Sequence, residues 1–387
     1  MAASRFIATG LRFKEKIAVI PTAVSFFIIV VSICISSGFR KEIRNGVSAI
    51  SGDIQLTSPS ANTAGEGVAV NANPSFLPGI VSMKGVKSVA PAIYRPGVVG
   101  SGEELSGVVF KGVPASKDES LTAEIPRSLA RTLSLSQGNE FRAYFIGERV
   151  QVRKFTVKRV FDAVADGSGN PVVLVPIEDL RRVNGWEEGK ASALEIMLED
   201  AWRSRDREKA LAVKIAGYAY GSSSDDDDPT LAVASADRYY NLFDWLGLID
   251  FNVLAILLLM ILVAGFNMIS GLLITLFRNI SSIGMLKTLG MDDRGIGKVF
   301  LRLASKVVLT GMATGNGFAL LLCAVQHFTH FIKLNPDNYF VSFMPVSVDL
   351  LSLLAVNAIA YIAIMLMLLL PALFIARVDP AETVRMK

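Results

Sequence analysis

The sequence predicts an α-helical membrane protein with four transmembrane helices (1+3) and a large extracytoplasmic α/β domain inserted between helices 1 and 2. Three observations predict it: four apolar runs of spanning length, a long stretch of ordinary polarity after the first run, and an uneven distribution of Lys and Arg. Hydrophobic residues make up 51% of the 387 and charged residues only 19%. That excess is gathered into the four runs, which a large soluble enzyme would not do.

An apolar helix needs about 20 residues to cross a bilayer. The runs expected to do so are 17–37, 248–277, 303–326 and 350–376, and 251–277 holds no charged residue. The first run follows a basic stretch (Arg5, Arg12, Lys14, Lys16), as a signal peptide would, but its apolar part is long and it reads as a retained span. Orientation comes from the connections. Residues 278–306 carry six basic side chains (Arg278, Lys287, Arg294, Lys298, Arg302, Lys306), whereas 327–349 carry one, Lys333. The positive-inside rule places the former in the cytoplasm. The expected order is then a cytoplasmic N-terminus (1–16), helix 17–37, a periplasmic domain (38–247), helix 248–277, a cytoplasmic loop (278–302), helix 303–326, a periplasmic loop (327–349), helix 350–376 and a cytoplasmic tail (377–387).

Within 38–247, strand-like stretches (GDIQLT, GVVFKGV, RKFTVKRVF, PVVLVP, ALEIMLE) alternate with helix-like ones (PRSLARTLSL, IEDLRRVNGW, RDREKALAVKIAGYAY). A mixed sheet with helices packed on it follows. PAIYRPGVVG (91–100) reads as a proline-marked loop, and the acidic run Asp225–Asp228 as a solvated one, since it lacks the alternation of a calcium loop.

Motifs for chemistry are missing. GWEEGKAS (185–192) has the wrong glycine spacing for a phosphate loop, and HExxH, CxxC and GxSxG are absent. No catalytic residue, cofactor or metal is expected; His327 and His330 with Asp337 make only a weak trio. The two cysteines, Cys34 and Cys323, both fall inside spans and read as neither a disulfide framework nor a zinc site. The deep polar residues are amides, Asn267, Asn316 and Asn357, which in lipid hold helices together. Gly311 and Gly315 form a GxxxG match. Ion-coupled transport would need charges at depth, so any work this chain does draws its energy from a partner. The basic residues sit at membrane edges, not in a stripe for nucleic acid.

The stretch SSIGMLKTLGMDDRG (281–295) lies between two spans and is too short to be another. Wound as a helix, it puts Ile283, Met285, Leu286 and Leu289 on one side and Ser281, Gly284, Lys287 and Thr288 on the other, with Gly290 as its stop. It reads either as a helix on the membrane surface or as one that docks in a groove of another protein.

The stretch RNISSIGMLKTLGMDDRGIGKVFL (278–301) resembles the cytoplasmic signature of the FtsX/MacB-type (type VII) ABC transporter permeases, E-I-G-x-L-[KR]-x-[LI]-G and then an apolar helix. Ser282 stands at the acidic position. FIATGLRFKEK, SGFRKEIRNGVSAISGDIQL and LVPIEDLRRVNGW…ALEIML resemble the LolC/LolE lipoprotein-releasing branch, and ARVDPAETVRMK resembles the family's ending.

The resemblance implies a MacB-like periplasmic domain and a permease in the bacterial inner membrane. It implies a second permease subunit, same or paralogous, and separate ATPase subunits docked through Ile283, Gly284, Met285, Leu286, Lys287, Leu289 and Gly290. It also implies a lipoprotein substrate, a periplasmic chaperone as a further partner, and membrane lipid around the spans. The substrate's acyl chains would enter a cavity for which Phe26, Phe27, Ile35, Phe39, Phe251 and Met260 are the candidates. The alternatives are MacB-like efflux, FtsX-like mechanotransmission to a periplasmic partner, and a membrane receptor working without an ATPase.

Overall fold

The computed structural model describes residues 15–60, 68–102, 104–116, 119–147, 149–161, 171–225, 227–335, 339, 341–369 and 371. The tail 377–387, residues 1–14, Asp337 and Asp226 lie outside these, as do the side chains of Ser281, Ser282 and Leu286. The chain forms two compact units: one of 41–246 with 333–343, the other of the remaining residues.

Helix α1 (Glu15–Ser51) is longer than its apolar run and contains Pro21. The α/β unit follows its last turns, with eleven strands among the described residues: β1 (Ile54–Thr57), β2 (Val70–Asn71), β3 (Val86–Ser101), β4 (Glu104–Val113), β5 (Thr122–Pro126), β6 (Glu140–Phe145), β7 (Gln151–Phe161), β8 (Val172–Pro176), β9 (Lys190–Ala191), β10 (Ala193–Leu198) and β11 (Leu231–Ala234). Helices α2 (Leu77–Val81), α3 (Arg127–Thr132), α4 (Ile177–Asn184), α5 (Arg205–Ser222) and α6 (Ser235–Arg238) lie between them.

Nine strands run in the order β11-β1-β10-β3-β4-β8-β5-β7-β6, and β3 also pairs with β6. The six strands from β3 to β6 therefore close into a barrel, with parallel pairs at β4–β8 and β5–β7 and a single bridge, Glu124 to Leu174, joining β5 to β8. Its interior holds Phe110, Phe141, Phe145 and Phe155, with ring centroids 4.8 to 5.9 Å apart, and is sealed by Leu129 of α3 and Leu180 of α4. Alternation of buried and exposed residues along β6 matches a strand with one face inside. The other strands, β11, β1, β10 and the start of β3, form an open sheet whose Ile54, Leu56, Leu194 and Ile196 pack against Phe76, Ile80, Leu211 and Ile215.

Residues 91–100 are not a loop, as the prolines suggested, but the middle of β3. Pairing with β10 stops at Ala92 and pairing with β6 starts at Val98. Pro96 falls in that gap, where one edge of the strand has no ladder and a missing N–H costs nothing. The acidic run is likewise not merely solvated. Asp228 accepts from the Asn71 amide (2.8 Å) and pairs with Lys190 (2.9 Å), and hydrogen bonds from Ser75 and Ser224 lower the Asp227 carboxyl to about 2.

The second unit holds most of α1 with α7 (Tyr240–Arg278), α8 (Ile280–Thr288), α9 (Asp293–Thr329) and α10 (Leu350–Met367). Four of these, α1, α7, α9 and α10, are long and apolar enough to cross a membrane. Helix α9 starts earlier than its apolar run because Asp292 caps it, accepting from the Gly295 amide at 3.0 Å.

Helices α1 and α9 meet backbone to backbone. A Cβ on Gly315 would lie 2.3 Å from the Ala23 carbonyl oxygen, and one on Gly311 would lie 2.8 Å from the Thr22 side chain. Helix α10 joins α9 through Asn316 Nδ2 to Asn357 Oδ1 (3.0 Å) and the Ser305–Tyr361 hydroxyl pair (2.8 Å). Gly315→Ala is therefore expected to destabilise the bundle by about 1–3 kcal/mol through overpacking. Gly317→Ala, on the open side of the same helix with nothing within 4 Å, should be neutral or slightly stabilising. Thermal unfolding of the two variants in detergent checks the contrast.

Candidate functional site

The short helix α8 is built from both its faces. Ile283 is only 1% exposed and joins Leu276, Ile296 and Phe300 in the bundle core. Lys287 Nζ pairs with Asp293 at 2.8 Å, its side chain largely covered. Gly290 follows with φ +87°, the left-handed conformation that glycine adopts freely and that stops the helix. Met285 and Leu289 point outward, 63% and 77% exposed.

The single apolar face read from the sequence is thus divided. Ile283 and Gly284 are buried against their own bundle, because the bend at Asn279 and the restart at Asp293 fold α8 back onto the neighbouring helices. Lys287 is turned inward for the same reason. Among the described side chains, Met285, Leu289 and Gly290 are the part of the predicted docking set that remains outward.

The six candidates for a lipid cavity differ in burial. Phe26 is fully buried between α1 and α9, where a Cβ on Gly315 would touch it, so it packs the bundle. Phe39 is buried as well, and Phe27 packs partly against Val30 and Cys34. Ile35 and Met260 are half-buried, and Phe251 is 68% exposed. Phe251 belongs to a helix with few neighbours: 6% of α7's most apolar stretch is buried, against 39% for α1. Leu254, Leu258, Leu262 and Phe266 share its exposure.

Sequence reading missed a clamp at one end of these two helices. Asp250 Oδ1 accepts from Arg40 at 2.5 Å and from the Ser36 hydroxyl at 2.7 Å. A carboxylate close to an arginine and a serine some two hundred residues away carries no local signal.

It also missed the joint at the end of α1 in the α/β unit. Gly52, at φ +69°, turns the chain out of the helix. Lys111 Nζ donates to the Ala49 carbonyl (3.0 Å) and pairs with the Glu195 carboxylate (2.8 Å), and the Tyr94 hydroxyl donates to the Ile50 carbonyl (3.0 Å). Lys111 thus sits at the negative end of the helix dipole. Burial, and then the Glu195 carboxylate, pushes the Tyr94 phenol above its ordinary range. One step away, Asp53 accepts from Ser48 and from the Leu198 amide (2.7 Å), and pairs with Arg203 at 3.2 Å.

Among the described residues no three His, Cys, Asp or Glu side chains are grouped to hold a metal. What the arrangement holds is a helix pinned on one side with an outward apolar tip, a closely packed bundle, and a helix end held by buried charges.

Residues 254–380 match the family described as FtsX-like permease C-terminal. That stretch therefore carries an FtsX-like permease C-terminal domain. It is also similar over nearly its whole length to the lipoprotein-releasing system transmembrane protein LolC. For LolC of Xylella fastidiosa (strain 9a5c) the identity is 21% over 404 residues, covering 96% of this chain and 94% of that one. For LolC of Neisseria meningitidis serogroup B (strain ATCC BAA-335 / MC58) it is 23% over 410 residues, covering 96% and 93%. Among solved structures, the periplasmic region of MacB from Actinobacillus actinomycetemcomitans is similar at 11% identity with a TM-score of 0.32, over 52% of this chain and 95% of that one.

Lys111→Met is expected to cost about 3–5 kcal/mol, because it strands the Glu195 carboxylate in a buried site. Changing Glu195→Gln together with Lys111→Met should recover a large part of that loss. Denaturant unfolding of the two variants beside the unaltered chain, followed by tryptophan fluorescence, tests it.

Proposed function

We propose that this chain is a permease subunit of an ABC transporter of the lipoprotein-releasing type, extracting lipoproteins from the outer leaflet of the bacterial inner membrane. The observation that carries the reading is α8, a short helix pinned by Ile283 and Lys287 with Met285 and Leu289 left outward. End-to-end likeness to LolC supports the branch.

In this reading residues 278–302 lie in the cytoplasm, 38–247 and 327–349 in the periplasm, and both termini in the cytoplasm. A separate ATPase presents a groove to Met285, Leu286, Leu289 and Gly290. Ile283, Gly284 and Lys287 anchor the tip to the bundle instead of entering the groove. ATP-driven closure then moves α8, and with it α9, which begins at Asp293 beside the Lys287 ion pair. Helix α1 carries the chain from the membrane unit into the α/β unit, and α7 carries it back.

The uncovered faces of α7 suit pairing with a second permease subunit and a lipid-lined cavity between the two. Phe251 and Met260 remain cavity candidates there, with Ile35 and Phe27 at its edge. A periplasmic chaperone receives the extracted lipoprotein.

Replacing Met285 and Leu289 by Asp should abolish co-purification of the ATPase while the protein still inserts, since a buried unpaired carboxylate costs several kcal/mol. Undiminished co-purification would place the docking surface elsewhere. Depleting the protein from cells tests the substrate. Accumulation of acylated lipoproteins in the inner membrane is the expected result, and normal lipoprotein sorting with an efflux or division defect would overturn it.

A further inference from the structure

The two cysteines of the chain, read from sequence as neither a disulfide framework nor a zinc site, face each other. On α9 the residues Gly311, Gly315, Ala319 and Cys323 recur every fourth position, and on α1 so do Thr22, Phe26, Val30 and Cys34. Gly311 meets Thr22, and Gly315 meets Ala23 and Phe26. Val30, Cys34, Ala319 and Cys323 share one buried cluster. The stripe thus begins at two glycines and ends at two thiols packed in the same buried cluster.

The segment around Ser347 covers this end. Its amide donates to the Cys34 carbonyl at 3.0 Å, and the Pro345 carbonyl leaves no room for a Cβ on Gly38.

We infer that Cys34 and Cys323 form an oxidisable dithiol, a modification site whose disulfide latches α1 to α9. Thiols already packed side by side in one buried cluster need only a short approach to the S–S distance of about 2.05 Å. The two S–H bonds break, one S–S bond forms, and two electrons and two protons leave. A lipid-soluble quinone, reduced to its quinol, takes both pairs, and its solubility suits a buried pair that aqueous oxidants reach poorly. The latch acts on the helix pair that carries motion from α8, so its effect on turnover rests on the permease reading above, whereas the cross-link itself does not.

The test uses the full chain with its ATPase in membrane vesicles, treated with copper–phenanthroline or with a fully substituted short-chain quinone. Free thiols are then alkylated, and the unreduced digest is read by mass spectrometry. Expected are a Cys34–Cys323 linked peptide within one chain from most molecules, its reversal by dithiothreitol, and its absence from Cys34→Ser and Cys323→Ser. Thiols that both remain alkylatable, or that pair only between chains, would overturn the proposal. ATP turnover should fall at least fivefold on oxidation and recover on reduction, with Cys34→Ser unaffected. Undiminished turnover in cross-linked molecules would overturn the latch while leaving the dithiol standing.

Discussion

The membrane half depends on one contact: the backbone of α9 at Gly315 lying against the Ala23 carbonyl of α1. Lipid tails are as apolar as leucine, so no hydrophobic force draws spans together. Close approach of small residues and a few interhelical hydrogen bonds must suffice. With α9 placed on α1, its other side receives α10 through the Asn316–Asn357 amide pair. Its start then receives α8 through Ile283 and the Lys287–Asp293 ion pair. A bundle assembled in this way is stiff where glycine meets backbone, and it is uncovered along α7.

The α/β unit solves a different problem. Strand β3 serves two structures, an open sheet on one part of its length and a closed barrel on the other, and closure removes the edges that would otherwise be exposed to pairing. The end of α1 is held in this unit by Lys111, Glu195 and Tyr94, nearly all buried. Replacing such a set with apolar residues often leaves stability unchanged. Its ammonium and phenol, however, reach the last carbonyls of one particular helix, which apolar packing cannot do. The charges set where the helix ends and how it enters the sheet.

The division of labour along α8 follows from these constraints. Were its apolar residues all on one outward face, the helix would have nothing to hold it to the bundle. With Ile283 inward and Met285 and Leu289 outward, the helix is held to the bundle and still presents an apolar tip.

Periodicity and local composition alone determined much of this protein. Four helices of spanning length, the α/β segment between the first two, and the short helix with its glycine stop all follow from local patterns. Apolar length is set by bilayer thickness, and helix ends are set by neighbouring residues. Tertiary structure alone decided which side of α8 faces in, since Ile283 and Met285 are equally apolar and only the fold-back onto α9 separates them. It also turned a supposed loop at 91–100 into a strand, because Pro96 is harmless only where a ladder changes partner. Phe26, a cavity candidate by size, became packing because Gly315 lies opposite it. Arg40 with Asp250, Lys111 with Glu195, and Cys34 with Cys323 are each joined across long stretches of chain. A pairing of that kind depends on how elements pack in space, and a linear sequence of side chains does not record it.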